Sequence, residues 1–494
     1  MPETYPTSTA VGFAELGVSA PLVRTLAAQG IESPFPIQAA TLPDSMQGRD
    51  VLGRGRTGSG KTLAFALPIV SRLLSEQGAV LRPKRPRALV LAPTRELATQ
   101  IAEVLRPLGE TNGLSVTTVF GGVPQGRQTQ ALSRGVDIVI ACPGRLEDLM
   151  GQREVFLDQV GITVLDEADH MADLGFLPAV TRILDATPAG IQRMLFSATL
   201  DNGVDRLVKR YLRNPRTHSV DSAESPVSTM THHLLSVNDP HAKQDVVREL
   251  ASGTGRRVLF MRTKHSAKKL AKQLIASGIP AVDLHGNLTQ GARQRNLAAF
   301  SDGEVNVLVA TDVAARGIHV DDIELVVHVD PPTEHKAYLH RSGRTARAGS
   351  DGVVVTLVLP EQEREVKTLM RLAKVNARAD RVAPGSPVVS TLVGEVAPRR
   401  EYTSPAEKMA EQQGQTGTGR RAQGRARRSG AQAGGSGGSS TRSAGSGRGA
   451  AAASGPATGY HGSPRPGGGH PGGGTGGTGG SRRRGGAGRP ARAR

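Results

Sequence analysis

The chain has 494 residues and a formal net charge of +18 at pH 7, from 62 basic and 44 acidic residues, which is long enough for two or more domains. A single cysteine excludes a disulfide framework and argues against a zinc cluster. The sequence has neither a signal-peptide leader nor a run of 18 apolar residues, so we expect a protein of the reducing cytoplasm without a membrane span.

The first feature in chain order is a glycine-rich loop between a short strand and a helix. The predicted strand Asp50–Leu52 leads into Gly55–Thr62, and Leu63–Leu67 has the pattern of a helix start. Glycines let the backbone approach a polyphosphate, and the helix N-terminus adds partial positive charge. Lys61 would reach the β- and γ-phosphates, and Thr62 would place its hydroxyl on Mg²⁺. The predicted nucleotide contacts are Arg56, Thr57, Gly58, Ser59, Gly60, Lys61 and Thr62.

Short apolar runs recur as far as residue 359 and alternate with segments of helical period. The runs are mostly Val, Ile and Leu without alternation, which is typical of parallel strands buried on both faces. They are Ala88–Ala92, Val136–Ala141, Ile162–Leu165, Met194–Phe196, Val258–Met261, Val305–Ala310, Leu325–Val329 and Val353–Leu359. Helical segments between them include Arg95–Leu108, Asp201–Leu212 and Ser266–Ala276. This alternation predicts an α/β protein with doubly wound parallel sheets.

A polar, turn-rich passage near residues 221–228 divides this pattern in two, and a second series of strands starts at Val258. We therefore predict two α/β domains joined by a short linker. The predicted ranges are an N-terminal arm (1–12), the first domain (13–220), the linker (221–227), the second domain (228–380) and a tail (381–494).

The run Ile162–Leu165 leads into two carboxylates, Asp166 and Glu167. An apolar strand that ends in carboxylates is the second half of many nucleoside-triphosphate sites. Asp166 would hold Mg²⁺, usually through water, and Glu167 would orient or deprotonate the attacking water. The alternative is a pair of acidic residues at a surface loop, and the glycine loop upstream argues against it.

The excess positive charge lies at the C-terminal end of the sequence. From Arg399 onward there are 17 basic and 3 acidic residues, whereas the first 398 residues hold 45 basic and 41 acidic ones. Residues 412–494 contain 28 glycines and 14 arginines but no acidic residue. A segment of this composition buries too little apolar surface to offset chain entropy, and it attracts polyanions. We expect the tail to be disordered and rich in Gly, Arg and Ser.

The tetrad Asp166–Asp169, Asp-Glu-Ala-Asp, completes a set of motifs in which the chain resembles the DEAD-box ATP-dependent RNA helicases of superfamily 2. The resemblance covers about residues 13–360, with the motifs in the family's order, and the high Arg, Ala and Gly contents favour a bacterial member. It implies two tandem RecA-like domains and binding of ATP with Mg²⁺. It also implies RNA as a partner, single-stranded or duplex, that is held largely independently of its sequence.

The segment Gly30–Gln38 resembles the family's Q motif, in which a glutamine reads the adenine edge. The resemblance gives this role to Gln38, because a glutamine amide offers the paired donor and acceptor that adenine requires. It also places an upstream aromatic residue, Phe13, against the adenine ring. ATP rather than GTP is therefore expected. The alternative for Phe13 is an ordinary core residue.

Further motifs match the family's RNA-contacting loops and the segment that couples hydrolysis to RNA handling. Their helix starts, glycine turns and guanidinium groups can hold phosphates, although each alone would be an ordinary loop. By resemblance, the RNA contacts are Pro93, Thr94, Arg95, Gly122, Gly144, Arg145, Thr263, Arg293 and Thr311. The coupling residues are Asp169, Ser197, Thr199 and His340.

The segment His340–Arg347 carries arginines spaced by three. By resemblance, Arg344 and Arg347 reach across the cleft to the γ-phosphate and act as arginine fingers. The alternatives are a solvated basic turn and a site for RNA phosphates alone.

Three positions depart from the family pattern. Gly55 and Arg56 stand where the family more often has Ala-Gln, and neither position supplies an essential ligand. Cys142 replaces a common threonine and removes one hydroxyl from a proposed RNA contact. His319 stands where the family usually has an aspartate that contacts the ATP ribose, so the resemblance supplies no ribose contact there.

The predicted function is RNA-stimulated ATP hydrolysis with local unwinding or remodelling of RNA duplexes and RNA–protein complexes. The basic tail would add salt-sensitive, non-specific affinity for RNA or contact ribonucleoproteins. One alternative is an ATP-gated RNA clamp or scaffold with little unwinding. Another is a DNA helicase of the same superfamily, because no residue of the sequence alone reads a 2′-hydroxyl.

Overall fold

The structure, a computed structural model, describes residues 11–55, 58–76, 80–200, 202–220, 230–315, 320, 322–346, 351–405 and 408. The predicted linker, residues 1–10 of the predicted arm and the tail beyond residue 408 lie outside these ranges, as do Arg56, Thr57, His319 and Arg347. None of the helices in the described part of the chain is both long and apolar enough to cross a bilayer.

The first domain is a seven-stranded parallel sheet with helices on both faces. Its strands are β1 (Val51–Arg54), β2 (Ala88–Leu91), β3 (Val116–Val119), β4 (Ile138–Ala141), β5 (Ile162–Leu165), β6 (Gln192–Ser197) and β7 (Arg216–Ser219). They pair in the order β3-β4-β2-β5-β6-β1-β7. Its helices are α1 (Ala20–Ala27), α2 (Pro36–Ser45), α3 (Lys61–Ser75), α4 (Arg95–Glu110), α5 (Gly126–Arg134), α6 (Pro143–Gly151), α7 (Ala168–Asp173), α8 (Leu177–Asp185) and α9 (Asn202–Tyr211).

The second domain repeats this topology. Its strands are β8 (Met230–Ser236), β9 (Arg256–Met261), β10 (Ala281–Leu284), β11 (Val307–Thr311), β12 (Ile323–His328), β13 (Gly352–Val358) and β14 (Arg378–Arg381). The order β10-β11-β9-β12-β13-β8-β14 is that of the first domain, counted from the domain's own first strand. Its helices are α10 (Pro240–Leu250), α11 (Lys264–Ala276), α12 (Gln290–Ser301), α13 (Asp312–Ala315), α14 (His335–Ser342), α15 (Glu363–Leu372) and α16 (Pro387–Val393), with a short 3₁₀ turn at Pro360–Gln362.

Buried apolar strands form the centre of the first sheet, which confirms the predicted fold class. Every residue of β2, β4 and β5 is buried, and this explains their runs of aliphatic residues without alternation. Because all strands of a sheet run in parallel, their carboxyl ends and the loops that follow lie at one edge. Ligands bind at that edge in doubly wound folds.

The apolar runs predicted most strands but not the polar ones. β5 has the predicted bounds, and the other predicted strands occur with ends shifted by one or two residues. The glycine-loop helix, α3, begins at Lys61 rather than at Leu63. The strands that the sequence did not indicate are β3, β7, β8, β10 and β14. Of these, β7 and β14 are edge strands whose residues are mostly exposed, so they carry no apolar run.

The second domain continues past residue 380, where the sequence predicts the tail to begin. β14 pairs with β8, and α16 buries Val389 and Val393. The chain then returns along the domain, where the Ala397 amide donates to the Ser252 carbonyl at 2.7 Å. The predicted boundary at residue 381 is therefore too early, because the apolar side of α16 holds this segment on the domain.

A buried arginine joins this segment to the body of the second domain. Arg257, in β9, is 2% exposed, and its guanidinium donates to the carbonyls of Leu250 at 2.7 Å and Val393 at 2.6 Å. These residues end α10 and α16, so the arginine satisfies carbonyls that have no partner within their helices. Burial lowers the pKa of Arg257 to about 10, which leaves the guanidinium charged at neutral pH.

Replacing Arg257 by methionine should destabilise the second domain, because buried carbonyls at two helix ends lose their donor. We expect the free energy of unfolding to fall by about 2–3 kcal/mol in chemical denaturation. The matched control is Arg371→Met on the exposed side of α15, which should change it by less than about 0.5 kcal/mol. Equal effects of the two substitutions would contradict the role assigned to Arg257.

Candidate active site

The glycine loop joins β1 to α3, as the sequence predicts. Gly60 has a φ of +86°, in the left-handed region, and a Cβ there would lie 2.5 Å from both the Gln38 amide nitrogen and a Phe35 ring carbon. Only glycine therefore fits at this position. The Lys61 ammonium is buried and donates to the Gly55 carbonyl at 2.8 Å, so the lysine closes the loop. The remaining described residues of the loop are at least partly exposed: Gly58, Ser59 and Thr62.

Gln38 ties the start of α2 to the glycine loop. Its amide oxygen accepts from the Phe35 N–H at 2.9 Å, and its amide nitrogen donates to the Gly60 carbonyl at 2.9 Å. The residue is almost fully buried. Gln38, the predicted adenine-reading glutamine, therefore lies directly beside the glycine loop.

Phe13 and Phe35 differ sharply in exposure. Phe13 is 3% exposed and packs in the apolar core of the first domain, near Leu22 and Leu26. Its burial agrees with the alternative that the sequence left open, an ordinary core residue. Phe35, which the sequence reasoning did not single out, is 49% exposed and lies against Gly60. Its position next to the predicted Gln38 was the available signal.

The acidic tetrad follows β5 at the carboxyl edge of the sheet. Asp166 is buried, and one of its oxygens accepts the Glu167 amide at 3.0 Å. Burial raises the pKa of Asp166 to about 7, against the effect of the nearby Lys61 charge. A buried carboxylate with so high a pKa is one that a cation would stabilise in its charged form.

The pKa of Glu167 is shifted in the opposite direction to that of Asp166. Burial alone would raise the pKa of its carboxyl, but the hydrogen bond and charge of His170 and the charges of Arg344 and Lys61 outweigh burial. They hold the pKa of Glu167 well below its usual range. Arg344 belongs to the second domain, so both domains contribute cations to this carboxylate. The Glu167 backbone has a φ of +50°, which is uncommon for a residue with a side chain.

The predicted coupling residues of the first domain form one hydrogen-bonded group. The Ser197 hydroxyl accepts from the Asp169 amide at 3.2 Å and donates to the Thr199 carbonyl at 2.7 Å. The amide and hydroxyl of Thr199 both donate to the Asp169 carboxylate, at 2.9 and 3.1 Å. This group fixes the loop after β6 to the acidic tetrad after β5.

Side chains from both domains meet beside α4 and α12. The Arg293 guanidinium donates to the Glu96 carboxylate at 2.8 Å, and the Gln290 amide donates to the same oxygen at 3.2 Å. Arg95 donates back to the Gln290 amide oxygen at 3.1 Å. Burial opposes ionisation of Glu96, but Arg293 lowers its pKa below the usual value. No role was predicted for Glu96 or Gln290, although Glu96 is next to the predicted RNA contact Arg95 and Gln290 lies one helical turn before Arg293.

The predicted RNA contacts of the first domain lie in loops and at helix starts that follow the carboxyl ends of its strands. Thr94, which follows Pro93, caps α4 through a hydrogen bond at 3.2 Å from the Leu97 amide. The Arg95 guanidinium covers Gly122, where a Cβ would lie 2.0 Å from its nitrogen. Gly144 and Arg145 lie elsewhere, in the first turn of α6.

In the second domain, Thr263 and Thr311 also lie where strands end. Thr263 caps α11 through a hydrogen bond at 3.1 Å from the Ser266 amide, and Thr311 is the last residue of β11. Within the described ranges neither forms a hydrogen bond with the first domain, whereas Arg293 does. His340, in α14, accepts from the Arg344 side chain at 3.2 Å through its carbonyl.

Arg341 fixes α14 in the second domain. Its guanidinium forms a bidentate pair with the Asp312 carboxylate, at 2.7 Å for one contact, and donates to the Asp330 carbonyl at 2.7 Å. It also lies 5.1 Å from the Phe260 ring centroid. The sequence analysis named Thr311, next to Asp312, and the segment that contains Arg341, but it could not predict their pairing, because the fold brings them together.

Two family models match the chain. Residues 35–207 match the model described as DEAD/DEAH box helicase, and residues 242–349 match the model described as helicase conserved C-terminal domain. Among curated proteins, DEAD-box ATP-dependent RNA helicase 9, mitochondrial, from Arabidopsis thaliana is 40% identical over 73% of this chain and 59% of its own length. DEAD-box ATP-dependent RNA helicase 53 from Oryza sativa subsp. japonica is 39% identical over 72% of this chain and 59% of its own length.

Solved structures give the same result. S. cerevisiae Dbp5 bound to RNA and ADP BeF3 matches with a TM-score of 0.68 and 28% identity, over 78% of this chain and 100% of that one. Mss116p bound to ssRNA and AMP-PNP matches with a TM-score of 0.66 and 26% identity, over 79% of this chain and 83% of that one. The chain spans less than two thirds of the length of the curated relatives. With its two repeated α/β domains and the motifs at their facing edges, the chain belongs to the DEAD/DEAH-box helicase family.

Proposed function

We propose that the chain is an ATP-dependent RNA helicase that hydrolyses ATP when RNA is bound and locally unwinds or remodels RNA. The observation that carries the proposal is the contact between the two domains beside the predicted site: Arg293 of the second domain donates to the Glu96 carboxylate of the first at 2.8 Å, and the charge of Arg344 contributes to the lowered pKa of Glu167. A hydrolytic site divided in this way works only when the domains come together. The names and bound ligands of the similar proteins support RNA and ATP as the ligands.

The glycine loop would hold the phosphates of ATP. Its backbone N–H groups and the start of α3 provide donors, and Lys61 provides the charge. Asp166 and Thr62 offer the hard oxygen ligands that Mg²⁺ prefers, and the raised pKa of Asp166 fits a carboxylate that is charged when a cation is present. When bound, Mg²⁺ would neutralise negative charge on the phosphates.

Hydrolysis would then depend on two charged side chains of this chain. Glu167, held ionised, would orient the attacking water and accept its proton. Arg344 would stabilise the negative charge that develops on the γ-phosphate oxygens, and we expect Arg347 to act with it. In related enzymes an arginine in this role contributes roughly 10³–10⁵ in rate.

RNA would bind across the loops of both domains and favour their closure. If ATP and RNA both bind best to the closed arrangement, each must raise the affinity for the other. Asp169, Ser197 and Thr199 link the ATP side of the first domain to the loop after β6 and would carry this coupling. Contacts to the sugar-phosphate backbone would make binding largely independent of sequence.

The basic tail would contribute to RNA binding. Fourteen arginines and no acidic residue between 412 and 494 would add salt-sensitive affinity for RNA. The cytoplasmic location stays a prediction that rests on the single cysteine.

Replacing Arg344 by alanine should abolish most ATP hydrolysis while leaving ATP bound. We expect RNA-stimulated kcat to fall by roughly 10³-fold or more, with the Kd for ATP within a few-fold of the parent value. Arg371→Ala, on the exposed side of α15, is the matched control and should leave both unchanged. If ATP affinity fell in proportion to kcat, Arg344 would be a binding residue rather than a transition-state one.

The two phenylalanines should separate base binding from folding. In our proposal Phe35, which is exposed beside Gly60 and Gln38, packs on the adenine, whereas Phe13 supports the core. Phe35→Ala should raise the Kd for ATP by about fivefold, the equivalent of about 1 kcal/mol of ring contact, without lowering the melting temperature. Phe13→Leu should lower the melting temperature and leave the Kd for ATP close to the parent value. A larger loss of ATP affinity with Phe13→Leu than with Phe35→Ala would restore the role that the family resemblance gives to Phe13.

A further inference from the structure

A buried histidine lies directly against the Glu167 carboxylate. The His170 Nδ1 is 3.1 Å from Glu167 Oε2, and the two side chains are 4% and 13% exposed. Both belong to the turn that starts α7. The family resemblance assigned no role to His170, and the proposed mechanism does not use it.

The direction of this hydrogen bond follows from the chemistry of its partners. An ionised carboxylate can only accept, so Nδ1 must carry the proton and donate. The other ring nitrogen, Nε2, is buried without a hydrogen-bond partner among the described residues. Glu167 is therefore the polar group that orients this imidazole, and the imidazole in turn orients Glu167.

The backbone of Glu167 makes such support necessary. Its φ of +50° lies in the left-handed region, which costs roughly 1–2 kcal/mol for a residue with a Cβ. The hydrogen bond to a residue three positions later closes a short ring over this turn and limits the rotation of the Glu167 side chain. It also occupies Oε2, which leaves Oε1 for other partners.

We propose that His170 is a positioning residue for ATP hydrolysis: it holds the Glu167 carboxylate in one orientation, with Oε1 available to the attacking water. This inference rests on the proposed role of Glu167 as the group that orients that water. It assigns His170 no contact with ATP or RNA, so its effect should be confined to the chemical step.

Two substitutions at His170 separate hydrogen bonding from packing. His170→Asn places an amide N–H close to the position of Nδ1, whereas His170→Leu fills a similar volume without a donor. Each should be made in the full chain, alone and together with Glu167→Gln. The measurements are single-turnover and steady-state ATP hydrolysis with saturating RNA, the Kd values for a fluorescent ATP analogue and for single-stranded RNA, and the melting temperature.

We expect His170→Leu to lower kcat by roughly 10- to 100-fold, the usual effect of losing a residue that orients a reacting group. The two Kd values should stay within about threefold of the parent values. His170→Asn should recover most of the rate. In the Glu167→Gln background, His170→Leu should have less than about a threefold further effect, because the carboxylate that it orients is absent.

Three outcomes would overturn the inference. The first is a kcat for His170→Leu within about twofold of the parent. The second is an equal loss for the Asn and Leu variants, together with a lower melting temperature, which would indicate packing alone. The third is an undiminished effect of His170→Leu in the Glu167→Gln background. Full activity of Glu167→Gln itself would instead refute the proposed role of Glu167, so the two failures can be told apart.

Discussion

The carboxylate of Glu167, which is only 13% exposed, is surrounded by cations and donors from both domains. His170 comes from the next turn of the chain, Arg344 from the turn that follows α14 of the second domain, and Lys61 from the glycine loop. Burying an ionised carboxylate is costly unless such partners surround it. His170 contributes most to the low pKa of Glu167, and Arg344 of the second domain adds to its effect.

A second set of polar contacts joins the two domains. Glu96 accepts hydrogen bonds from Gln290 and Arg293, and all three side chains are partly or fully buried there. Since a buried carboxylate without its cation is unfavourable, separation of the domains would have to be accompanied by hydration of Glu96. These contacts lie next to Arg95, one of the predicted RNA contacts. A nucleic-acid backbone bound at Arg95 would thus act directly on the residues that hold the domains together.

The fold class and the main chemical motifs could be predicted from the sequence because each depends on local pattern. The glycine loop, the acidic tetrad and the apolar strands are contiguous, and β5 has the predicted bounds. The pairing of Glu96 with Arg293, and of Asp312 with Arg341, joins residues far apart in the chain, so only the fold reveals it.

The other differences between the predictions and the structure also have physical reasons. Phe13 and Phe35 are both aromatic residues near the predicted adenine side, and their burial, not their type, distinguishes them. The predicted boundary at residue 381 is early because β14 is polar and exposed, although α16 after it carries buried valines. His170 gave no signal in the sequence, because nothing in the local pattern shows which way its ring points. Its contact with Glu167 at 3.1 Å identifies it.

The claim that both ligands are needed to bring the domains together can be measured as a distance. Cys142 is buried, so spin labels can be placed selectively on cysteines introduced at the exposed positions Glu103, in α4, and Lys272, in α11. We expect pulsed EPR to show one short, narrow distance distribution only when a non-hydrolysable ATP analogue and RNA are both present. Arg293→Ala should broaden it under the same conditions. A distribution that is unchanged by RNA, or equally narrow in Arg293→Ala, would contradict the account.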